Sequence, residues 1–233
     1  MKILFIRHGE SHNNVLLGRS REEYRKERMA DPHLSERGQI QAEHTACFLS
    51  VKDVDSIASR LIGKIDQLYC SPVLRALETC LPISKAMKMR PYVWMDCYEH
   101  GGMYERDFET KRTSNYGGLT EHDMKTQFPT FDFDDGAFTS KGWYTGGYES
   151  QKKCSARAAS VSERLKVTAL NLKADRTIAL VAHHDFLDVL LRHILDIDIN
   201  VRTSPVGTQF RHFNTAMSCV EIYPSKKPEN HWI

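Results

Sequence analysis

Residues 1–11 read Met1-Lys2-Ile3-Leu4-Phe5-Ile6-Arg7-His8-Gly9-Glu10-Ser11. A short apolar run, Lys2 to Ile6, stops abruptly at a polar stretch that contains a glycine. A buried parallel strand has this form when it delivers its next residues to the carboxyl edge of a sheet, so His8 is expected just past a strand end. The pattern recurs downstream, where Ile65 to Tyr69, Pro91 to Met95, Thr177 to Ala182 and Met217 to Tyr223 read as further strands. Helices are expected over 34–51 with Ser35 as N-cap, over 72–88 with Ser71 as N-cap and Pro72 in the first helical position, and over 151–172 and 186–195. Strands separated by helices predict a single α/β domain over residues 1–233, a three-layer α/β/α arrangement around a mostly parallel central sheet with right-handed crossovers. Residues 99–150 interrupt the pattern with glycines, aromatics and acids in no sustained period, and read as an inserted, lid-like segment over one sheet edge.

Composition narrows the function classes. Of 233 residues 41% are hydrophobic and 27% charged, which supports a sizeable core and excludes wholesale disorder, collagen and coiled coil. The 32 basic and 30 acidic side chains leave a formal charge of +2, far from the dense cationic field of a nonspecific nucleic-acid or membrane-surface binder. Any anion selectivity must be local. The apolar run before Arg7 is too short for a signal-peptide core or a membrane span, and the six cysteines show no CxxC pair. A reduced, cytoplasmic protein is the expectation.

Unusual clusters come directly after the expected strands: Arg7-His8-Gly9-Glu10-Ser11, Ser71 with Arg75, Glu99-His100, and His183-His184-Asp185. Ligands of open parallel sheets bind beyond the carboxyl ends of the strands, so these distant clusters are expected to meet in one crevice. Two arginines there suit the oxygens of a phosphoryl group. A neutral imidazole held on one ring nitrogen by a backbone hydrogen bond can attack phosphorus with the other, and Gly9 would allow close approach. An alkoxide leaving group needs a proton, which Glu99 could deliver if a partly apolar loop raises its pKa; Glu10 and Glu105 are rival acids.

Taken together, Arg7-His8-Gly9-Glu10-Ser11 with Asn14, Leu34-Ser35-Glu36-Arg37-Gly38, Ser71-Pro72-Val73-Leu74-Arg75-Ala76-Leu77-Glu78-Thr79, Tyr98-Glu99-His100-Gly101, Val181-Ala182-His183 and Phe213-Asn214-Thr215-Ala216 resemble the ordered motifs of the histidine phosphatase superfamily, in its cofactor-dependent phosphoglycerate mutase-like branch. The resemblance spans nearly the whole chain. It implies that His8 is the phosphorylated nucleophile, that Arg7, Arg75 and His183 complete the phosphate pocket, and that Glu99 is the proton donor that later activates water. Asn14 would also contact the phosphate, with Ser11 and His184 at the substrate-binding edge. No metal is required by such a site. The chain departs from the family in having His184-Asp185 where a glycine usually comes after the second histidine. A histidine-aspartate pair also occurs in the acid phosphatase branch, which makes Asp185 a backup acid, but the first motif here lacks the RHGxRxP continuation of that branch.

Hydrolysis and mutase-type transfer both begin from a phosphohistidine. Around Lys111-Arg112 the arginine-rich carboxylate-binding segment of the true mutases is not evident. Gly117-Gly118-Leu119-Thr120, Gln127-Phe128-Pro129, Gly142-Trp143-Tyr144 and Gly147-Tyr148-Glu149-Ser150 instead resemble lid segments of the smaller-molecule phosphatases. The expectation is a phosphatase of a small phosphorylated substrate. It would work without a cofactor, 2,3-bisphosphoglycerate entering only if the chain is a mutase, with no nucleic-acid or membrane partner and with a homodimer left open.

Blander readings stand beside this one. Singly, His8 reads as a structural or solvated histidine, Arg75 as a capping cation and Glu99 as a solvated loop acid; their order along the chain is what raises them. His8 with His12, or His183-His184-Asp185, would suit a metal-dependent hydrolase only with a diagnostic ligand set such as HExxH, which is absent. Arg19 to Arg28, basic residues mixed with glutamates around Tyr24, reads as a solvated helical face bordering the mouth of the site rather than a nucleic-acid patch. A noncatalytic phosphate-binding module is the remaining alternative, which the intact nucleophile and acid argue against.

Overall fold

Alternation along β1 (Lys2–Arg7) defines the layers. Ile3 and Phe5 face one side of the sheet, Leu4 and Ile6 the other, and all four are buried. The computed structural model describes residues 1–51, 62–197 and 209–223. Within them β1 lies beside β6 (Thr177–Ala182), which pairs in turn with β2 (Gln67–Cys70) and, beyond it, β3 (Tyr92–Val93), all parallel. On the other flank of β1, β7 (Met217–Glu221) closes the five-stranded sheet as an antiparallel edge. Leu4, Ile6, Ala179 and Val181 pack with α3 (Glu36–Ser50) and α4 (Leu74–Met87) on one face. Ile3, Phe5, Ile178 and Leu180 pack with α6 (Gln151–Asn171) and α7 (His184–Ile194) on the other. The architecture is the expected α/β/α sandwich, and each large apolar side chain it buries is worth about 1.5–3 kcal/mol before chain entropy is set against it.

The differences from the sequence reading are local and have physical causes. The helix expected at Pro72 begins two residues later, at Leu74; the Ser71 hydroxyl is shared between His183 Nε2 at 2.7 Å and Val73 N, from which it accepts at 3.3 Å, and Val73, the N-cap, has no capping oxygen of its own. A distant acid takes over the cap: Asp31 Oδ1 accepts from Leu74 N at 3.0 Å. Residues 12–27 form two short helices, α1 (His12–Arg19) and α2 (Arg21–Glu27), divided at Ser20, whose hydroxyl oxygen caps the second by accepting from Glu23 N at 3.0 Å. The expected strand over 91–95 is only the pair Tyr92–Val93, succeeded by a single 3-10 turn, Met95–Cys97.

The segment 99–150 is more ordered than an aperiodic insertion. It carries a hairpin, β4 (Tyr104–Arg106) with β5 (Thr113–Asn115), and a short helix, α5 (Glu121–Gln127). From it Met124, Phe128 and Phe131 enter the main core, while Met103, Trp143 and Tyr144 form a satellite cluster with Val73. A two-turn helix contributes too few positions for its period to show. No helix among the described residues is long and apolar enough to cross a membrane. The cysteines are all unpaired, with Cys47 and Cys219 exposed and the other four buried.

Candidate active site

Parallel pairing sets Arg7 opposite Ala182 and Cys70 opposite Val181, so the residues after β1, β2 and β6 emerge side by side. His8 N donates to Ala182 O at 3.0 Å and Ser71 N to Val181 O at 2.9 Å, extending the ladder just past the strands. His8 is buried, and its Nδ1 lies 2.6 Å from Gly9 O, a hydrogen bond in which only the nitrogen can donate. Arg75 Nε donates to His8 Nε2 at 3.1 Å. Together these bonds assign the proton to Nδ1 and the lone pair to Nε2. Burial, then Arg75 and Arg7, hold the His8 pKa well below the ordinary imidazole range, so the ring is neutral at pH 7.

Two glycines bring this loop to its position. A Cβ on Gly9 would stand 2.5 Å from Gly38 O, and a Cβ on Gly38 only 2.0 Å from Glu10 O. The close approach that Gly9 permits is therefore that of two backbones, the loop after β1 and the first turn of α3. Gly9 N also donates to Thr79 Oγ1 at 2.9 Å, tying the loop to α4.

His183, the N-cap of α7, is wholly buried, its ring centroid 5.2 Å from that of His8. Its Nε2 is hydrogen-bonded to Ser71 Oγ at 2.7 Å, while Nδ1 is buried without a partner. Burial, then Arg75 and His8, push this imidazole well below its ordinary value as well. Arg7 NH1 donates to His212 O at 2.7 Å, and its Nε is buried without a partner.

Glu99 reaches the same place from the loop after the 3-10 turn. Its Oε1 accepts from His100 N at 2.8 Å and from Phe186 N at 2.9 Å, and Asp185 N points at its Oε2 at 3.4 Å. The carboxyl thus sits on the amino end of α7, where free N–H groups favour negative charge. Burial and the nearby Asp185 outweigh those donors and Arg75, and the Glu99 pKa is raised. The loop is held from behind by Arg157 of α6, whose NH1 donates to Asp96 O at 2.7 Å and Tyr98 O at 3.0 Å, and whose NH2 meets Glu149 Oε2 at 2.7 Å.

Arg7, His8, Asn14, Arg75, Glu99 and Asp185 line one cavity of about 250 Å³, with Ser11, His100 and His184 also on its wall. Ser11 is foremost the N-cap of α1: Ser11 N donates to Asn14 Oδ1 at 3.1 Å and Asn14 N to Ser11 Oγ at 3.3 Å. With its carbonyl oxygen so engaged, Asn14 has its NH2 group left for an anion. The rival acids do not reach the cavity. Glu10 accepts from Ser35 Oγ at 2.8 Å and faces Arg37, and Glu105 is exposed on β4. His12 is exposed, and among the described residues no three His, Cys, Asp or Glu side chains group as a metal site.

Sequence reasoning gave no individual role to Ser71 beyond a cap, nor to Thr79, Arg157 or Asn214. Asn214 Nδ2 donates to His8 O and to Asn14 Oδ1, both at 3.2 Å, tying the residues before β7 to the His8 loop. The available signal was its place just ahead of a strand that pairs with β1.

The family described as histidine phosphatase superfamily (branch 1) matches residues 3–232. The chain belongs to that superfamily. Among solved structures, the chain resembles the mycobacterial glucosyl-3-phosphoglycerate phosphatase complexed with VO3, with TM-score 0.56 and 21% identity over 94% of this chain and 90% of the other. It also resembles the phosphoserine phosphatase of Entamoeba histolytica in complex with 3-phosphoglyceric acid, with TM-score 0.52 and 18% identity over 94% of this chain and 89% of that one. No curated protein matches it in sequence. At these identities the neighbours speak for the fold.

Proposed function

We propose that this chain hydrolyses a small phosphomonoester through a phosphohistidine on His8, with Glu99 as proton donor and no metal or cofactor. The observation that carries the reading is the pairing of a neutral His8, its Nε2 lone pair turned to Arg75, with a buried Glu99 carboxyl of raised pKa on the same cavity wall. Substrate phosphate takes the place of the His8 ring as the acceptor for Arg75, and Arg7, His183 and Asn14 supply further donors to its oxygens. His8 Nε2 attacks phosphorus in line with the ester oxygen; the N–P bond forms as the P–O bond breaks. The departing oxygen takes the proton of Glu99 and leaves as the alcohol. The resulting phosphoimidazolium keeps Nδ1–H on Gly9 O. In the second half Glu99, now a carboxylate, takes a proton from water as the water oxygen attacks phosphorus. The N–P bond breaks, its electron pair returns to His8 Nε2, and inorganic phosphate leaves with the Glu99 proton restored.

That the solved neighbours are phosphatases of small phosphorylated metabolites supports hydrolysis over mutase-type transfer. The test is phosphate release from a panel of phosphomonoesters, including 3-phosphoglycerate with 2,3-bisphosphoglycerate, by wild type and His8→Ala, with and without chelator. Chelator-insensitive release abolished in His8→Ala is expected. Isomerisation of 3-phosphoglycerate without release would replace hydrolysis by mutase activity, and inactivity on every ester would favour a binding module.

A further inference from the structure

Residues 31–35 run between the loop that carries His8 and the helix that carries Arg75. On the His8 side, His12 N donates to His33 O at 3.1 Å and Ser35 N to Glu10 O at 2.8 Å, while Ser11 and Leu34 form an isolated antiparallel bridge. On the Arg75 side, the segment and the first turns of α4 exchange carboxylates. Asp31 Oδ1 accepts from Leu74 N at 3.0 Å. Glu78, one turn further along α4, reaches back: its Oε2 accepts from Leu34 N at 2.7 Å, and its Oε1 lies 2.6 Å from His33 Nδ1. Each partner of this clasp thus satisfies a backbone N–H of the other. Arg75 sits within it, directly after Leu74, and its Nε donates to His8 Nε2 at 3.1 Å. The spacing of nucleophile and arginine is set through residues 31–35 as well as through the sheet.

Asp31 is the half of the clasp that bears on Arg75. Val73 has no side-chain oxygen, so the first turn of α4 takes its cap from Asp31. The turn before Asp31 is itself tied down: Asn13 Nδ2 donates to Met29 O at 2.8 Å, Met29 N donates to Asn13 Oδ1 at 3.0 Å, and Arg28 NH1 donates to Tyr104 O at 3.3 Å. Among the described residues Asp31 Oδ2 is buried without a partner. Burial outweighs Arg75, Leu74 N and His33, with Glu78 acting in the same direction as burial, and the Asp31 carboxyl is pushed up to about 6. Because the folded value lies above the unfolded one of about 3.9, the stability linked to this group is whole below about pH 3.9 and is lost as pH rises through about 6. At pH 7 the ionised side chain therefore costs the fold stability. What it gives in return is placement: burial lowers the Arg75 pKa, and Glu99 and then Asp31 are the acids that oppose this and support the guanidinium charge.

We propose that Asp31 is the positioning residue of Arg75: by holding the first turn of α4 from across the site, it presents the guanidinium to a phosphoryl group on His8. The role of Arg75 in this proposal rests on the phosphatase reading above. The test is a double-mutant cycle of Asp31→Ala and Arg75→Ala on kcat/KM for p-nitrophenyl phosphate, with inorganic phosphate binding to wild type and the Asp31 variants measured by calorimetry. Asp31→Ala should lower kcat/KM about tenfold and weaken inorganic phosphate by a similar factor. In the Arg75→Ala background the same substitution should cost less than about twofold, because the group it positions is gone. Asp31→Asn, whose Oδ1 still accepts from Leu74 N, should stay within about threefold of wild type in both measurements. Wild-type kcat/KM in Asp31→Ala, an equal loss in both backgrounds, or an asparagine variant as impaired as the alanine would overturn the proposal. If Asp31→Ala does not fold, Glu78→Ala, which undoes the returning half of the clasp at a partly exposed side chain, goes through the same cycle. A loss that disappears in the Arg75→Ala background then supports the proposal, and an equal loss or none overturns it. Phosphate binding separates this claim from the catalytic one. If wild type hydrolyses no ester, the phosphatase reading fails, while phosphate weakened by Asp31→Ala and not by Asp31→Asn still supports the positioning role. If Asp31→Ala hydrolyses esters as wild type does, the positioning role alone fails.

Discussion

His8 and His183 are kept neutral by burial and by arginines, and this has consequences for both stability and rate. In each the folded pKa lies below the unfolded value of about 6.5. As pH falls through that value the unfolded chain binds protons that the native site refuses, so stability is whole above about pH 6.5 and declines below it. Urea unfolding measured from pH 7.5 to 5 should show a steep loss for wild type and a shallower one for His8→Asn, which removes one of the two groups; parallel profiles would contradict the assignment. Glu99 has the opposite displacement, its pKa raised by burial and Asp185. As an acid it must carry its proton, so turnover of alkyl phosphates should persist above the ordinary carboxylate range before falling. Glu99→Gln should slow an alkyl phosphate by about a hundredfold or more, and p-nitrophenyl phosphate, whose leaving group needs no proton, far less. Equal losses on the two esters would reject the donor role.

At the scale of elements, the site depends on contacts that no single motif shows. The loop after β1 rests on the first turn of α3 through Gly9 and Gly38, and the added methyl of Gly38→Ala has no room against Glu10 O. That substitution should cost about 2 kcal/mol or more in chemical denaturation, because backbone rather than a flexible side chain must give way, and it should lower kcat by displacing His8. On the other side of the site Arg157 ties α6 to the loop of Glu99 through Asp96 O and Tyr98 O, and it forms a nearly buried pair with Glu149, while its guanidinium lies 3.5 Å from the centre of the Tyr98 ring. Arg157→Met leaves Glu149 buried and unpaired and should destabilise by about 3–5 kcal/mol, partly recovered by adding Glu149→Gln. If the double variant is no more stable than the single one, charge burial is not the cause.

Across the whole molecule, the features legible in the sequence were those that depend on short period or on strand ends. The bounds of β6 were readable to the residue because Thr177 to Ala182 is apolar on both faces, as a strand covered by helices must be. His8, Arg75, Glu99 and His183 stood out because parallel topology gathers the residues just beyond each strand. Asp31 carried no such signal, since it caps a helix 43 residues away, and Ser71 stood out by its place after a strand but not by its hydrogen bond to His183, 112 residues on. The basic face of α2 was visible only as mixed charge, because the hairpin opposite it comes some 80 residues later and separation of that kind leaves no local signal. The central claim is that phosphate passes through His8. Rapid acid-free quenching of enzyme with a phosphomonoester, then mass spectrometry of peptides kept at alkaline pH, should place a phosphate on His8 Nε2 that forms as fast as alcohol is released, accumulates in Glu99→Gln with p-nitrophenyl phosphate, and is absent from His8→Ala. Hydrolysis without any phosphorylated His8, or with the phosphate on another residue, would contradict the account.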